Sequence, residues 1–358
     1  MGDEYAELLV DLMDRGALDS RWLPAFQTAR RDLFVPARIW TGDGPEYRET
    51  DRADSPLDWA RAVNEDEPII TQLTDGVPTS SGSMPYMVAL MLRYLDVDDG
   101  DKVLEIGTGT GWTAGLLSAR LGGGNVVSIE VDAEVAAQAA NALGAAGHAP
   151  TLLLGDGAAG HPLRAPYDRL IATCSVRRVP SAWVAQTRGV ILTPWGNGMS
   201  NGTLLRLESD GTTAIGRVVD TSSFMWLREQ SPATRAYGDE GDQGEAGMDP
   251  REIFEDHDRL FAIGLRVPDC RYSVGWGDGD EADECTLWLS DGASWARAEY
   301  APGRDPWTVQ AGPRRLWDEV RTAYDWWTEK GRPELTRFGL TVDRHGQRAW
   351  LDDPGDVL

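Results

Sequence analysis

The chain has 358 residues, enough for two domains of ordinary size, and its 41% hydrophobic and 26% charged residues are typical of a soluble globular protein. Asp and Glu number 58 against 34 Lys and Arg, so the formal net charge is −24, and such a surface repels the phosphate backbone of nucleic acids. The sequence has neither an apolar run of the roughly 20 residues that span a bilayer nor a signal-peptide or myristoylation pattern, so we expect a cytoplasmic protein that binds no membrane.

The element patterns divide the chain into three predicted domains. Residues 1–75 form an N-terminal segment that opens with an amphipathic helix and continues as a polar stretch. Residues 76–230 alternate between helix and strand patterns, which predicts an α/β fold with a doubly wound sheet. Residues 231–358 form a C-terminal α+β extension, which begins with a predicted linker or mobile loop at Tyr237–Met248. The sequence does not indicate an oligomeric state.

In the middle domain, short strand patterns follow helix patterns at regular intervals. The predicted elements are helix 85–95, strand 102–106, a helix after residue 111, strand 125–130, helix 133–143, strand 151–154, strand 169–172, helix 182–186, strand 190–193 and a hairpin of strands 203–207 and 214–219. In such a sheet, ligands bind in the crevice outside the carboxyl ends of the strands.

The first of these strands ends in a glycine-rich turn that predicts a ligand-binding loop. Glu105 lies near its end, and Gly107, Gly109 and Gly111 follow at every second position, with Thr108 between the first two. Only glycine lets the backbone approach a ligand this closely, although an ordinary strand-to-helix turn also fits. The spacing differs from the G-x-G-x-x-G that holds a dinucleotide pyrophosphate. We predict that these five residues bind a cofactor.

Two further strand ends carry acidic residues. Glu130 lies about 20 residues beyond the glycines, where a carboxylate can accept hydrogen bonds from two ribose hydroxyls. Asp156 can accept a hydrogen bond from an adenine amino group, with Gly157 admitting the ring. The alternatives are a solvated strand-end acid for Glu130 and a simple Asp-Gly turn.

Several motifs occur in a fixed order over roughly residues 20–229. They are Phe34-Val35-Pro36, Thr79–Leu92, Lys102–Gly111, Asp156-Gly157, Tyr167-Asp168-Arg169 and Thr193-Pro194-Trp195-Gly196. Together they resemble protein-L-isoaspartate (D-aspartate) O-methyltransferases, in which a Thr-x-Ser pair precedes a Pro-x-Met-Val helix and the loop for S-adenosyl-L-methionine. The resemblance implies a class I methyltransferase (Rossmann-like) fold, S-adenosyl-L-methionine as cofactor and methyl transfer to a carboxyl group.

The resemblance also assigns roles to residues. Ser81 falls on the family's Thr and Ser83 on its active-site Ser, so both are predicted to orient the accepting carboxylate. The three glycines would hold the methionine part of the cofactor, Glu130 its ribose and Asp156 its adenine. Ser83 is also suited to be the N-cap of the following helix. The predicted substrate-binding residues are Ser80, Tyr86, Thr193 and Pro194.

Three departures from the repair enzymes bear on the substrate. Tyr86 stands where those enzymes usually have His, the stretch Thr79–Ser83 is richer in Ser, and about 125 residues follow the shared part. These features resemble actinobacterial relatives that methylate an Asp of a ribosomally made lanthipeptide, graspetide or lasso peptide, which leads to aspartimide or isoaspartate. We therefore expect a macrocyclic peptide substrate. The alternatives are repair of isoaspartyl proteins and a non-catalytic peptide-binding module.

The extension is rich in tryptophan, which can anchor a peptide or fill a small core. Strand positions are predicted at Leu287–Leu289, Trp295 and Tyr300, and a helix over 316–327. The tryptophans are Trp276, Trp288, Trp295, Trp307, Trp317, Trp326, Trp327 and Trp350.

Two arginine pairs, the cysteines and the histidines are predicted to have no functional role. The pairs Arg30-Arg31 and Arg177-Arg178 read as solvated surface, and Cys174 reads as a buried strand-end thiol. The three cysteines and four histidines are scattered, so no metal site is predicted.

Overall fold

The computed structural model describes residues 2–42, 47–231, 238, 240–277 and 282–358. The chain separates into two compact units. The first consists of Met1–Cys174, Pro180–Thr193 and Arg206–Ala214, and the second of Ser175–Val179, Pro194–Leu205 and Ile215–Leu358. The division into three domains at about residues 75 and 230 stays a prediction.

The N-terminal part of the first unit combines helices with a small antiparallel sheet. Its elements are α1 (Gly2–Asp14), α2 (Leu23–Thr28), β1 (Arg38–Thr41), β2 (Arg48–Asp51), α3 (Pro56–Asn64), β3 (Ile69–Thr74) and β4 (Val77–Gly82). The sheet order is β2-β1-β3-β4. The sequence interpretation predicted the helical start but missed the sheet, because the strands are short and partly polar; β2 reads Arg-Glu-Thr-Asp.

Strands β3 and β4 form a hairpin around a two-residue Asp-Gly turn. Asp75 and Gly76 have φ angles of 51° and 76°, as the type I′ turn of a tight hairpin requires. The turn is the local sequence signal that would have located this hairpin. Its importance is that β4 carries Ser80 and Ser81, and that Ser81 pairs with Ile70 of β3.

The larger sheet of the first unit is built from parallel strands, as predicted. Its elements are α4 (Pro85–Leu95), β5 (Val103–Ile106), α5 (Trp112–Leu121), β6 (Val126–Glu130), α6 (Ala133–Ala145), β7 (Thr151–Leu154), β8 (Tyr167–Ala172), α7 (Ser181–Gln186) and β9 (Thr187–Trp195). The order β9-β8-β5-β6-β7 has every neighbouring pair parallel. All four residues of β5 are buried, as expected for a central strand of a doubly wound sheet. This confirms the predicted α/β fold with a doubly wound sheet.

The predicted hairpin beyond β9 is present as β10 (Thr203–Ser209) and β11 (Ala214–Thr221), which lie next to each other in the sheet. Asp210 starts the connecting turn, where its carboxylate accepts hydrogen bonds from the backbone nitrogens of Thr212 and Thr213. Each of the strands β9, β10 and β11 has some residues in the first unit and some in the second.

The second unit is built around a five-stranded antiparallel sheet. Its remaining elements are β12 (Asp242–Glu245), α8 (Arg251–Phe254), α9 (His257–Arg266), β13 (Arg271–Trp276), β14 (Cys285–Ser290), β15 (Trp295–Tyr300), β16 (Trp307–Ala311), α10 (Leu316–Glu329), β17 (Phe338–Asp343) and β18 (Gly346–Leu351). The order is β12-β16-β15-β14-β13, and β17 and β18 form a hairpin that lies next to β11. Buried residues of α9, α10, β14 and β15 make one core. The predicted α+β extension is therefore present.

Two sequence expectations for the extension meet different outcomes. The predicted linker at Tyr237–Met248 is wrong in part, since Asp242–Glu245 form β12, whose backbone pairs with β16. Tyr237 lies outside the described residues. The predicted strand positions and helix are confirmed, and Trp317, Trp327 and Trp350 are buried core residues.

None of the described helices is both long and apolar enough to cross a bilayer. Among the same residues, no group of three or more His, Cys, Asp or Glu side chains is arranged to hold a metal ion. Cys174, Cys270 and Cys285 are free thiols. Cys174 is partly rather than fully buried at the end of β8.

Candidate active site

The carboxyl ends of four strands meet at one edge of the parallel sheet. The register aligns Ile106 with Ile129 and Ala172. Beyond the strands, the Gly107 nitrogen donates to the Ile129 carbonyl at 2.9 Å and the Gly155 nitrogen donates to the Glu130 carbonyl at 2.8 Å. The three predicted cofactor-binding segments therefore lie side by side, where open α/β sheets bind their ligands.

The glycine loop has a backbone conformation that disfavours side chains. Gly107, Gly109 and Gly111 have φ angles of 92°, 53° and 86°. A Cβ on Gly107 would lie 2.7 Å from Oγ1 of Thr173, whose hydroxyl donates to the Gly107 carbonyl at 2.6 Å. A Cβ on Gly111 would lie 3.3 Å from the Cβ of Ala139 on α6. A side chain at these positions would therefore be disfavoured both by the backbone angles and by close packing.

Glu130 fixes the glycine loop from the neighbouring strand. Its Oε2 accepts a hydrogen bond from the Gly109 nitrogen at 3.0 Å. Its Oε1 accepts hydrogen bonds from the Val131 and Asp132 nitrogens at 2.9 and 3.1 Å. The carboxylate thus lies at the crevice beside the loop, as the sequence predicted, although a contact with ribose hydroxyls remains a prediction.

Glu105 lies behind the glycine loop and is fully buried. Its Oε2 accepts a hydrogen bond from the Ser128 hydroxyl at 2.5 Å, and that hydroxyl lies 2.6 Å from Oγ1 of Thr108. Its Oε1 is a buried oxygen without a hydrogen-bond partner. Burial raises the pKa of Glu105 to about 8, so the side chain is mostly protonated at neutral pH.

Glu105→Gln should therefore change how stability depends on pH. The raised pKa means that the unfolded chain loses this proton near pH 4.5 while the folded protein keeps it to about pH 8. The contribution to stability thus falls across that window, by at most roughly 5 kcal/mol, and Gln removes the loss. Melting temperatures of both proteins from pH 5 to 9 should diverge in favour of the variant. Parallel curves would contradict the raised pKa.

Asp156 and Gly157 follow β7 at the same edge. Asp156 is exposed, and its Oδ1 accepts a hydrogen bond from the Ala158 nitrogen at 2.8 Å. Gly157 is buried, and a Cβ there would lie 2.5 Å from Cγ2 of Ile106. Glycine is therefore required at 157 by packing against β5, a reason the sequence interpretation did not give. The adenine contact of Asp156 remains a prediction.

The serine-bearing end of β4 lies against the glycine loop. A Cβ on Gly109 would be 3.5 Å from the Ser81 carbonyl oxygen. Ser80 is buried, and its hydroxyl accepts a hydrogen bond from Thr71 at 3.1 Å. Ser83 is only partly buried and precedes Met84, which is the N-cap of α4 without a side-chain capping hydrogen bond. The N-cap interpretation of Ser83 is therefore wrong, because the helix begins one residue later.

Arg31 holds this serine segment in place. Its guanidinium is completely buried and donates hydrogen bonds to the carbonyls of Gly82 and Ser83 at 3.2 and 3.0 Å. It also donates to the carbonyls of Val63, Glu65 and Glu67. Burial lowers the pKa of Arg31 to about 10, which still leaves it charged at neutral pH.

The expectation that Arg31 is solvated surface is therefore wrong. A buried cation surrounded by carbonyl oxygens has no sequence pattern of its own, because its acceptors come from distant backbone segments. The only local signal is its place three residues before the Phe34-Val35-Pro36 motif. Arg30, in contrast, pairs with Asp32 at 2.9 Å and is only partly buried.

Tyr86 lies in the first turn of α4, next to an ion pair. Its backbone nitrogen donates to Oδ1 of Asp66 at 2.7 Å. The Arg15 guanidinium lies 4.1 Å from the centre of the Tyr86 ring and forms an ion pair with Asp66 at 2.7 Å. The ring is thus fixed by a cation on one face.

The two remaining predicted substrate-binding residues are both buried near the end of β9. Thr193 is completely buried in β9, and Pro194 is buried beside it. The Pro194 carbonyl accepts a hydrogen bond from the Val176 nitrogen at 3.0 Å. Their contact with a substrate remains a prediction.

A cavity of about 250 Å³ adjoins the glycine loop and β4. It is lined by Ser80, Gly109 and Thr110, by Phe34 of the N-terminal motif, and by Gln138 and neighbouring residues of α6. The site therefore combines a crevice at the strand ends with a recess beside the serine strand.

This arrangement fits a nucleoside ligand with an amino-acid tail. The glycine loop leaves room where side chains would clash, and the neighbouring strand ends present carboxylates at Glu130 and Asp156. The serine segment adds neutral hydroxyls close to the loop. Such a site can align two reactants without supplying a strong base.

Comparison with known proteins agrees with this architecture. A family model described as Protein-L-isoaspartate(D-aspartate) O-methyltransferase (PCMT) matches residues 49–229. The protein-L-isoaspartate O-methyltransferase of Ignicoccus hospitalis is 33% identical over 202 residues, which are 54% of this chain and 82% of that protein. The protein-L-isoaspartate O-methyltransferase of Methanoregula boonei is 36% identical over 209 residues, which are 57% of this chain and 83% of that protein.

A solved structure titled protein-L-isoaspartate O-methyltransferase shares the fold at a TM-score of 0.57 and 19% identity. The alignment covers 98% of this chain and 100% of that one, so it includes the C-terminal extension. The shared fold therefore extends over the C-terminal extension. The chain belongs to the protein-L-isoaspartate(D-aspartate) O-methyltransferase family and is an S-adenosyl-L-methionine-dependent carboxyl O-methyltransferase.

Proposed function

We propose that the protein methylates the free α-carboxylate of an L-isoaspartyl residue in a peptide or protein, as in the repair of such residues. The observation that carries this proposal is the position of the serine strand, whose Ser81 carbonyl lies 3.5 Å from the place of a Cβ on Gly109. Family membership supports the same substrate, since both relatives compared above are named for it.

The cofactor would occupy the crevice at the strand ends. The glycine loop would hold its methionine part, Glu130 its ribose and Asp156 its adenine, while Glu105 supports the loop through Ser128 and Thr108. When bound, S-adenosyl-L-methionine supplies an electrophilic methyl group on a positively charged sulfur.

The accepting group is an ionised carboxylate, which is already a nucleophile. One of its oxygens forms the new bond to carbon as the sulfur–carbon bond breaks, and no proton has to move. The enzyme therefore contributes alignment and exclusion of water. Ser81 and Ser83 are proposed to donate hydrogen bonds that orient the carboxylate, and Arg31 positions the backbone that carries them.

Replacing Ser83 by alanine should reduce turnover without a matching loss of stability. The hydroxyl does not cap α4, whose N-cap is Met84, so the roughly 1 kcal/mol lost with a cap is not expected. We expect kcat to fall by about tenfold or more, because the carboxylate loses an orienting contact. Ser55→Ala, at an N-cap without a side-chain hydrogen bond, is the matched control. Normal turnover in Ser83→Ala would remove Ser83 from the site.

Replacing Glu130 or Asp156 by alanine should weaken cofactor binding. Each substitution removes the proposed acceptor for a cofactor hydroxyl or amino group, at a cost of about 1–3 kcal/mol. Calorimetric titration with S-adenosyl-L-methionine measures the effect, and Glu134→Ala on the exposed start of α6 is the control. Unchanged affinity in both site variants would refute the assignment.

A second candidate substrate is an aspartyl residue of a macrocyclic, ribosomally made peptide. Tyr86 favours it, because a tyrosine fixed by Arg15 stands where the repair enzymes usually have His. After methylation, attack by the backbone nitrogen would release methanol and leave aspartimide, which hydrolyses to aspartate or isoaspartate. A rigid peptide has lost its ordering entropy before binding, which would permit selectivity for one Asp.

Mass spectrometry after incubation with methyl donor distinguishes the candidates. The substrates are a linear isoaspartyl peptide, its aspartyl isomer and a macrocyclic aspartyl peptide. The proposed function predicts a methyl ester on the isoaspartyl peptide and none on the linear aspartyl peptide. Modification of the macrocycle alone, with loss of water, would establish the second candidate instead. Binding of peptides without turnover of any would indicate a non-catalytic module.

A further inference from the structure

The second unit contains a cavity of about 700 Å³ that is lined by aromatic side chains. Its walls include Trp276 at the end of β13, Trp288 on β14, Tyr300 at the end of β15 and Trp307 at the start of β16. The strand register puts Trp288 and Trp307 on the face opposite the core residues Leu287 and Ala298, whereas Trp276 and Tyr300 lie at the end of the sheet on the core side.

Two of these tryptophans are exposed. Trp276 is 56% exposed and Trp307 is 40% exposed, whereas Trp317 and Trp350 of the same unit are at most 2% exposed. Phe254 packs edge-to-face against Trp276 with ring centres 6.1 Å apart, which fixes the indole while leaving much of it accessible. Exposed aromatic surface at a cavity is typical of a binding site.

Acidic side chains lie beside Trp307 and line the cavity. The strand register places Trp307 between Glu299 of β15 and Glu245 of β12, so the three side chains share one face of the sheet. Glu284, Asp305 and Arg304 also line the cavity. Arg297 pairs with Glu299 at 2.9 Å, which leaves the lining negative overall.

The protein already binds its own cations in this way at the same cavity. The Arg251 guanidinium lies 3.5 Å from the centre of the Tyr300 ring, and Arg297 lies 5.7 Å from that of Trp288. Trp276 and Trp307 offer the same aromatic faces to an external group. Aromatic faces with nearby carboxylates attract an ammonium or guanidinium group.

We propose that this cavity binds a lysine or arginine side chain of the peptide substrate. As a substrate-docking site it rests on the proposed function, but binding of a cationic peptide can be measured without methyl donor. The expected occupant is cationic because the lining is aromatic and acidic, and the net charge of −24 attracts it over longer range.

The test is calorimetric titration of the full-length protein with a blocked short peptide carrying one lysine, and with its norleucine and acetyl-lysine counterparts. The lysine peptide should bind about tenfold more tightly than either counterpart, and added salt should reduce the difference. Equal affinity for lysine and norleucine would overturn the proposal in favour of an apolar occupant. No binding of any peptide would also overturn it.

Variants locate the site. Trp276→Ala, Trp307→Ala and the double variant Glu284→Gln/Asp305→Asn should each weaken binding of the lysine peptide several-fold. Trp326→Ala on α10, whose ring contacts Arg266, is the matched control and should not. Because the double variant leaves every aromatic ring in place, it tests the charge even if a tryptophan variant misfolds. If the full-length protein binds the lysine peptide but does not methylate the isoaspartyl peptide, the proposed function is refuted while the lysine-binding site stands.

Discussion

Arg31→Met should lower the free energy of unfolding by about 3–5 kcal/mol, because several buried carbonyl oxygens lose their hydrogen-bond donor together. Methionine has nearly the same length and leaves no large cavity, so the loss reports the hydrogen bonds rather than packing. The carbonyls of Gly82 and Ser83 are among the acceptors, so methyl transfer should fall further than the fraction of folded protein does. Chemical denaturation and turnover measured on the same preparation check both effects.

The controls for Arg31 separate charge from geometry. Arg31→Lys keeps the charge but has three donors in a different arrangement, so it should recover only part of the stability. Arg38→Met removes an arginine that is 61% exposed and paired with Glu49, and it should cost less than about 1 kcal/mol. If Arg31→Met were as mild as Arg38→Met, the five hydrogen bonds would not hold the serine segment.

Gly107→Ala should reduce affinity for S-adenosyl-L-methionine by at least about tenfold. A left-handed φ of 92° costs a non-glycine residue about 1–3 kcal/mol, and relaxing it moves the loop. The new Cβ would also lie 2.7 Å from Oγ1 of Thr173, which must shift and break its hydrogen bond to the Gly107 carbonyl. Calorimetry of cofactor binding is the measurement.

Two comparisons isolate the causes at Gly107. Gly100→Ala has a similar φ of 86° with nothing within 4 Å of its Cβ, so it should cost stability without changing cofactor affinity. Combining Gly107→Ala with Thr173→Ala removes the clash with the threonine hydroxyl and should recover part of the cofactor affinity. The remaining loss would then report the backbone strain at position 107. Unaltered cofactor binding in Gly107→Ala would mean that the loop does not contact the cofactor.

The parallel sheet and the glycine loop were predictable because their signals are local. Strand β5 is an apolar run followed at once by the glycines, and helix α4 has the predicted bounds Pro85–Leu95. Neighbouring parallel strands then bring Glu130 and the loop together without further information, as the hydrogen bond from Gly109 to Glu130 shows.

Other features could not be predicted because they depend on distant segments. Arg31 is buried only because five carbonyls from residues 63–83 converge on it. Gly157 is required by packing against Ile106, some 50 residues earlier in the chain, a reason that is independent of the predicted adenine ring. The small N-terminal sheet was missed because polar strands lack alternation, although the Asp-Gly turn at Asp75 was visible.

The hydrogen bonds of Arg31 also have a consequence for local motion. They tie the end of α3 and the residues after it to the serine segment, so neither part can open by itself without leaving a buried cation short of acceptors. Backbone amides around Asn64 and Ser83 should therefore exchange with solvent at a common, slow rate that no single helix or strand would set. The serines proposed to orient the substrate would then be carried by a rigid support, and substrate entry would depend on motion elsewhere in the protein.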